Sequence, residues 1–455
     1  MERQANSNLR GKSIMKKFIQ TIKNIFAIEE LRKRIIHTLL LLLVFRFGSY
    51  VILPGVNSAG LATQFNDVRD FLNIFLGGAF QRASIFALGI MPYISASIVV
   101  QLLTIALPSF QKMQKEGDSG RKKINNITRL LTVVITLAQS SAYLATTVKP
   151  EAISPNISQT FFTISSMIIL TAGTMFCMWL GERITDRGIG QGISMLIMIG
   201  IVSRFPAAII QEGQTRGMNG ALFFVLEIAA LFFVVMGVVL LTQAVRRIPV
   251  QYAKQVVGNK VYGGQRQYIP LKVNAVGVMP IIFAQSLMFL PSILAGAFQN
   301  SSDTAGSISQ TFSNPNSLIY NAVFALMIII FTYFYTAISI NPKQIADDMK
   351  RNNGFVPGVQ PGEPTAEYID NILSRVTLPG ALFLALIAVL PAIVGSMGVT
   401  QGFAAFFGGT SLLIMVSVVL DTLQQIESYL LMKHYEGLME TGNLTEGEKA
   451  TTAVV

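Results

Sequence analysis

Ten long apolar segments constrain the fold of this chain more than any other feature of its sequence. A helix needs about 20 mostly apolar residues to cross a bilayer. Only 13% of the residues are charged, against about 25% in a soluble domain. The sequence therefore predicts an all-α integral membrane protein with ten transmembrane helices, of which the fifth and ninth are interrupted by glycine and proline. The segments lie near 35–53, 83–106, 130–148, 159–180, 189–210, 221–242, 274–298, 318–340, 378–397 and 404–431.

Lysine and arginine are unevenly distributed over the loops between these segments. Of the 35 basic residues, 29 fall in the two termini and in the loops that share their side of the membrane. Cytoplasmic loops collect lysine and arginine, so both termini are predicted to be cytoplasmic. Most of the net charge of +11 follows from this topology, and a nucleic-acid partner is not needed to explain it.

The two ends of the chain are polar. Residues 1–34 form a cytoplasmic arm in which 14–28 carry apolar residues at helical spacing with lysines opposite, as in a helix that lies on the membrane surface. No small-residue cleavage site follows the first apolar segment, so we expect no cleavable signal peptide. Residues 432–455 form a cytoplasmic tail.

Cysteine and histidine are scarce. Cys177 is the single cysteine, and His37 and His434 lie far apart in the chain. We therefore expect no intrachain disulfide, no metal site and no cofactor. A histidine-based catalytic triad is equally disfavoured.

Residues 65–107 hold a helix that is broken at membrane depth. A short amphipathic run ends at Gly77-Gly78, and a full spanning segment follows. Irregular backbone at that depth is tolerated only where it is buried in protein or lines a watery cavity. Within the span, Ile90, Ile94 and Ile98 recur on one helix face, with Pro92 expected to interrupt the hydrogen-bond ladder. Ordinary packing explains such a stripe; the alternative is a constriction that closes a pore by dewetting.

Few charges lie inside the apolar segments. Arg46 and Glu227 can each reach the membrane interface with their polar ends, and we favour that interpretation. Ion-coupled transporters usually bury acidic residues near the midplane. The second, third, fifth, seventh and eighth segments contain no aspartate or glutamate in their apolar cores, which argues against such a carrier.

Two cytoplasmic loops, 243–273 and 341–377, are long for this chain, and long loops are often functional. The first has β-branched and aromatic residues on both sides of Gly258-Asn259, which is typical of a hairpin. Both retain apolar residues, so we interpret them as docking surfaces rather than disordered linkers.

The chain as a whole resembles the SecY family, the channel subunits of the bacterial protein-conducting translocon. The resemblance covers seven stretches in family order. They are ASIFALGIMPYISASIVVQLL at 83–103, EGDSGRKKIN at 116–125, GTMFCMWLGERITDRGIGQGIS at 173–194, RRIPVQYAK at 246–254, PLKVNAVGVMPIIFA at 270–284, FVPGVQPGEPTAEYID at 355–370 and FGGTSLLI at 407–414.

The resemblance implies two pseudo-symmetric halves of five helices around a central pore, here 35–215 and 216–431. It implies a plug helix at 64–77 that closes the pore from outside, with a hinge after it. The plug and hinge residues are Phe71, Leu72, Phe75, Gly77 and Gly78. The implied pore ring is Ile90, Ile94, Ile197, Ile282 and Ile414, with Ser286 nearby and given less weight.

The resemblance also implies a lateral gate through which apolar segments leave the pore for the lipid. Gln101 and Asn274 fall at its polar positions, and we expect a closed gate to satisfy both amides. The partners it implies are the small membrane subunits SecE and SecG, the motor ATPase SecA, the ribosome, signal peptides and nascent chains, and the phospholipid of the bacterial plasma (inner) membrane.

Motor or ribosome docking is expected in the two long loops, where basic residues can meet acidic protein or rRNA phosphate. The family commonly has an arginine just before the sequence PGE, where this chain has Gln360. Either Lys350 or Arg351 supplies the missing basic contact to the motor or ribosome, or the docking partner differs. The docking residues are Arg246, Arg247, Lys254, Lys260, Lys350, Arg351 and Gln360.

Two other classes of protein stay open at this point. A secondary solute transporter would place a broken-helix substrate site at 77–83, and the missing midplane acids weaken that alternative. A membrane enzyme lacks a candidate nucleophile–base pair. We therefore expect a passive channel, not an enzyme, that passes unfolded secretory proteins across the membrane and membrane proteins into it.

Overall fold

The computed structural model describes most of the chain. The ranges are 28–57, 76–148, 152–155, 157–217, 220–252, 255–257, 260–262, 266–274, 277–285, 287–288 and 317–452, together with Phe26. Most of the predicted surface helix 14–28 and of the plug 64–77 lies outside these residues, as does Ser286.

Helices make up most of the described chain. They are α1 Glu29–Gly48, α2 Met91–Ala106, α3 Pro108–Lys115, α4 Asp118–Thr147, α5 Gln159–Arg187, α6 Gly192–Arg216, α7 Ala221–Gln243, α8 Leu318–Ser339, α9 Pro342–Arg351, α10 Glu363–Ser396, α11 Gln401–Ala404 and α12 Gly409–Thr452. Residues 279–285 are also helical. Among the described residues, seven helices are long and apolar enough to cross a membrane, or eight if α2 and α3, bent by 97°, count as one span.

The second span begins later than its hydrophobicity indicates. Residues 76–90 form turns rather than helix, and Ile90 is the N-cap of α2. Pro92 therefore sits in the first turn, where its missing N–H costs no intrahelical bond. The backbone N–H of Ile94 donates to the Ile90 carbonyl at 3.1 Å, so the predicted interruption of the ladder by Pro92 is wrong.

Several helices run beyond the apolar segments that predicted them. The helix α4 begins at Asp118, α5 continues to Arg187, and α10 begins at Glu363, all within sequences predicted to be cytoplasmic loops. The fifth segment is one continuous helix, α6, with Pro206 inside it. Pro206 does not end α6, because in a packed bundle neighbouring groups can satisfy the backbone carbonyl that loses its hydrogen bond to the proline.

The two long loops, 243–273 and 341–377, contribute to a single small sheet. Its strands are β1 Val245–Tyr252, β4 Arg266–Lys272 and β5 Gly354–Phe355, in the order β4-β1-β5. The pairing of Gln251 with Phe355 joins the first loop to the second. A separate hairpin, β2 Gln255–Val257 and β3 Lys260–Tyr262, confirms the hairpin predicted around Gly258-Asn259.

The sheet has its own apolar core beside α9 and α10. The core residues are Ile248, Val250, Leu271, Met349, Val356 and Ile369. The spanning helices share a second, larger core, in which Gly173 of α5 allows the backbone at Ile85 to approach closely. A Cβ at Gly173 would lie 2.1 Å from the Ile85 carbonyl oxygen.

Candidate pore and lateral gate

Five isoleucines from distant parts of the chain belong to, or pack against, the larger apolar core. Ile90 and Ile414 are buried, and Ile94, Ile197 and Ile282 are half-buried against the same cluster. Ile90 is the N-cap of α2, and Ile94 lies within α2. Ile197 belongs to α6, Ile282 to the segment 279–285 and Ile414 to α12. Their β-branched side chains are stiff, so the arrangement supplies apolar groups of fixed shape from both ends of the sequence.

The turn before α2 is built on two glycines. Gly77 and Gly78 have φ of +60° and +87°, the left-handed region in which glycine carries no steric penalty. The Gly77 carbonyl accepts hydrogen bonds from Arg46 at 3.4 Å and from Arg82 at 2.9 Å, and the Gly78 carbonyl accepts one from Arg82 at 3.1 Å. Gly77-Gly78 thus lie in turns that continue to Ile90, whereas the run 65–75, which we predicted to be the helix before the break, lies outside the described residues.

Arg46 lies in the last turn of α1 and is half-buried. Its guanidinium lies with that of Arg82 over the ring of Tyr50, at 5.5 and 4.1 Å from the ring centroid. Sequence reasoning missed Arg82 and Tyr50, because the contacts that unite them with the glycine turn are tertiary.

The helices α2 and α8 are joined by a side-chain hydrogen bond. The Tyr335 hydroxyl of α8 donates to Gln101 Oε1 of α2, across 234 residues of sequence. The Tyr335 ring also packs edge-to-face on Phe283 of the segment 279–285, with 5.4 Å between centroids. The structure thus places Gln101 at a contact between helices, with a partner that the sequence did not indicate.

Asn274 differs from Gln101. Its side chain is buried, and neither its Nδ2 nor its Oδ1 has a hydrogen-bond partner among the described residues. Our expectation that a closed gate satisfies both amides is therefore wrong for Asn274. An unpaired buried amide costs about 1–3 kcal/mol.

A charge network joins α6, α7 and the loop before α11. Arg216 donates to Glu212 at 3.0 Å and to Glu227 at 2.5 Å. The Thr400 backbone N–H and hydroxyl both donate to the other Glu212 oxygen. Glu212 is fully buried and Glu227 nearly so, so the favoured interpretation of Glu227, that it reaches the interface, is wrong.

The basic residues of the two long loops lie on the sheet and on α9. Arg246 and Arg247 are exposed on β1, opposite Leu271 and Pro270 of β4. Lys350 and Arg351 are exposed at the end of α9. Lys254 lies outside the described residues, and for Lys260 only the backbone, in β3, is described.

Gln360 lies in the second loop, just before α10. Its side chain is exposed, and its backbone carbonyl accepts a hydrogen bond of 2.7 Å from the Thr365 hydroxyl. The pairing of β1 with β5 makes the two loops one structural unit, which sequence reasoning had treated as two separate surfaces.

Comparison with known proteins identifies the relatives of this chain. A family model described as SecY matches residues 84–423. The protein translocase subunit SecY of Streptomyces galbus is 43% identical over 434 residues, which cover 91% of this chain and 98% of that protein.

Two solved structures are similar in fold. "The structure of a protein conducting channel" gives a TM-score of 0.62 at 15% identity and covers 87% of this chain and 92% of that one. "Sec61 in the Canine ribosome-channel complex from the endoplasmic reticulum" gives a TM-score of 0.58 at 15% identity, with the same coverage of both chains.

Proposed function

This chain belongs to the SecY family, and from that premise we propose how this membrane-embedded protein translocase subunit conducts polypeptides. The observation that carries the proposal is the hydrogen bond between Tyr335 and Gln101. It joins α2, the helix that carries Ile94, to α8. A channel that passes chains both through and sideways needs a seam between two of its helices.

The pore is closed by apolar side chains. Ile90, Ile94, Ile197, Ile282 and Ile414 form a narrow ring that excludes water and ions at rest, because a narrow apolar constriction dewets. Their common place in one apolar core supports this role. The segment 64–77, with Phe71, Leu72 and Phe75, is the plug that covers the ring from outside, and Gly77-Gly78 is the hinge between them.

The lateral gate lies between α2 and α4 on one side and the segment 279–285 and α8 on the other. A signal peptide enters the gate with its apolar core toward the lipid, and a transmembrane segment leaves by the same route. Gln101 and Asn274 are its polar positions. The halves 35–215 and 216–431 separate to open it.

The cytoplasmic sheet and α9 are the docking surface for the motor SecA and for the ribosome. The exposed Arg246, Arg247, Lys350 and Arg351 support this assignment, and so does the printed title of the similar Sec61 structure, which is a ribosome-channel complex. Lys254, Lys260 and Gln360 belong to the same surface. SecE and SecG complete the assembly in the bacterial plasma membrane, with both termini cytoplasmic.

Reconstitution tests the proposal. The purified protein is placed with SecE and SecG in phospholipid vesicles, and a secretory precursor is added outside with SecA and ATP. We expect precursor to become protected from protease only when SecA and ATP are both present. Uptake of a small solute without any partner, together with no precursor movement, would contradict the proposal and favour a solute transporter.

A further inference from the structure

A charged cavity lies at one end of α5, against α4. Its volume is about 300 Å³, and it is lined by Arg129 of α4 and by Trp179, Glu182, Arg183 and Asp186 of α5. Arg129 and Glu182 pair with each other, since both Glu182 oxygens accept hydrogen bonds of 2.8 Å from Arg129 Nη2. This pair joins the two helices and uses one cation and one anion of the cavity.

Arg183 and Asp186 are the charges that remain. Within the described ranges, neither side chain has an ion-pair partner. The Arg183 guanidinium lies over the Trp179 ring, 5.5 Å from its centroid. Asp186 follows three residues later and is exposed, so the two charges are neighbours on the helix surface. The cavity therefore offers a ligand one positive and one negative group, side by side.

The cavity lies at the depth of lipid headgroups. The helix α5 has 29 residues, which extend about 44 Å, and a bilayer with its headgroup regions is about 40–45 Å thick. Its last turn is then level with the headgroups, and Trp179 lies one turn deeper, where tryptophan is enriched. Exposed apolar side chains continue from there on α4 and α5: Leu130, Val134, Leu137 and Phe176.

We propose that this cavity binds the headgroup of a zwitterionic aminophospholipid, such as phosphatidylethanolamine. The lipid phosphate accepts hydrogen bonds from Arg183, its ammonium donates to Asp186, and an acyl chain lies along the exposed apolar side chains. An anionic lipid without an amine fits less well, because it places negative charge beside Asp186 and offers that carboxylate no partner. The site requires only that α5 spans a bilayer, and it is independent of polypeptide conduction.

Trp179 is a built-in probe of the site, because it is the single tryptophan of the chain. The complex with SecE and SecG is placed in vesicles of equal parts phosphatidylethanolamine and phosphatidylglycerol. One of the two lipids is brominated on its acyl chains near the headgroup, so that it quenches tryptophan fluorescence on contact. The Trp179→Phe complex, measured in parallel, gives the fluorescence of the other subunits for subtraction. We expect brominated phosphatidylethanolamine to quench more strongly than brominated phosphatidylglycerol, with a preference of about threefold at the site.

Three variants test which side chains create the preference. Arg183→Gln should bring quenching by phosphatidylethanolamine down to that of a randomly mixed lipid. Asp186→Asn should remove the preference, because phosphatidylglycerol no longer meets a carboxylate. Arg187→Gln is the matched control: that arginine is exposed and does not line the cavity, so the preference should persist.

Two results would overturn the proposal. One is equal or stronger quenching by phosphatidylglycerol in the wild-type complex. The other is the same preference in Arg183→Gln as in Arg187→Gln. Elution of each variant with SecE and SecG in a single gel-filtration peak verifies that it is folded.

Discussion

At the scale of single residues, the two amide side chains at the proposed gate positions differ in their hydrogen bonding. Gln101 has a partner in Tyr335, whereas Asn274 is buried without one among the described residues. The two amide side chains therefore contribute to stability with opposite sign, because a hydrogen bond stabilises the fold while an unpaired buried amide costs free energy.

The substitution Asn274→Leu should stabilise the protein, because it replaces an unpaired amide by an apolar group of similar size. We expect its free energy of unfolding to increase by about 1 kcal/mol. The thermal unfolding midpoint in detergent should rise accordingly. Gln101→Leu is the matched control and should lower the midpoint, since it orphans the Tyr335 hydroxyl. A thiol-reactive dye can follow unfolding, because the single cysteine, Cys177, is fully buried.

The proposed isoleucine ring can be tested by measuring how well the resting channel excludes ions. Ile94→Ser or Ile282→Ser should increase ion leak through the resting channel, because a hydroxyl admits water to the constriction. Ile168→Ser on α5 is the control, since that side chain is 61% exposed on the outside of the bundle. Planar-bilayer conductance measures the difference, and equal conductance in all three variants would remove Ile94 and Ile282 from the ring.

At the scale of elements, close backbone contacts decide where the segment before α2 can lie. The N–H of Leu53 donates to the Ala83 carbonyl at 2.8 Å, and the N–H of Ile85 donates to Val51 at 2.9 Å. Gly173 of α5 closes the other side of this segment. These contacts hold 83–85 in turns, with Ala83 at a positive φ of 47° and Ser84 bridged to Ile52, although the hydrophobicity of this segment is that of a membrane helix.

The substitution Gly173→Ala should destabilise the protein, because its Cβ would meet the Ile85 carbonyl and force the segment away from α5. We expect a loss of about 1–3 kcal/mol and a lower unfolding midpoint in the dye assay. Gly213→Ala on α6 is the matched control: the nearest atom to its added Cβ, in Phe224, is 3.8 Å away. Gly213→Ala should be neutral or stabilising. A Gly173→Ala variant as stable as wild type would show that the segment moves freely.

At the scale of the whole molecule, the network of Glu212, Arg216, Glu227 and Thr400 ties together α6, α7 and the loop before α11. These elements belong to the two proposed halves, 35–215 and 216–431. Two carboxylates share one guanidinium, so Arg216 is the group on which the network depends.

The substitution Arg216→Met should lower the free energy of unfolding by roughly 3–5 kcal/mol, because it leaves two carboxylates buried without their cation. Adding Glu212→Gln and Glu227→Gln should restore part of the loss. Arg129→Met is the control, since the Arg129–Glu182 pair is partly exposed and worth about 1 kcal/mol at most. Equal losses at Arg216 and Arg129 would contradict a special role for the network.

Features that depend on local composition could be predicted from the sequence. Apolar length predicted the spanning helices, turn chemistry predicted the β2–β3 hairpin, and paired glycines predicted non-helical backbone at Gly77-Gly78. Each depends on residues that are neighbours in the chain, so a pattern in the sequence is enough to indicate it.

The tertiary structure alone decided which side chains meet. Tyr335 and Gln101 are 234 positions apart, β1 pairs with β5 across the intervening spans, and Glu227 is buried beside Arg216 rather than exposed. Such pairs depend on how each helix is rotated and crossed against its neighbours. The packing of the whole apolar core sets those angles, and no local pattern records them.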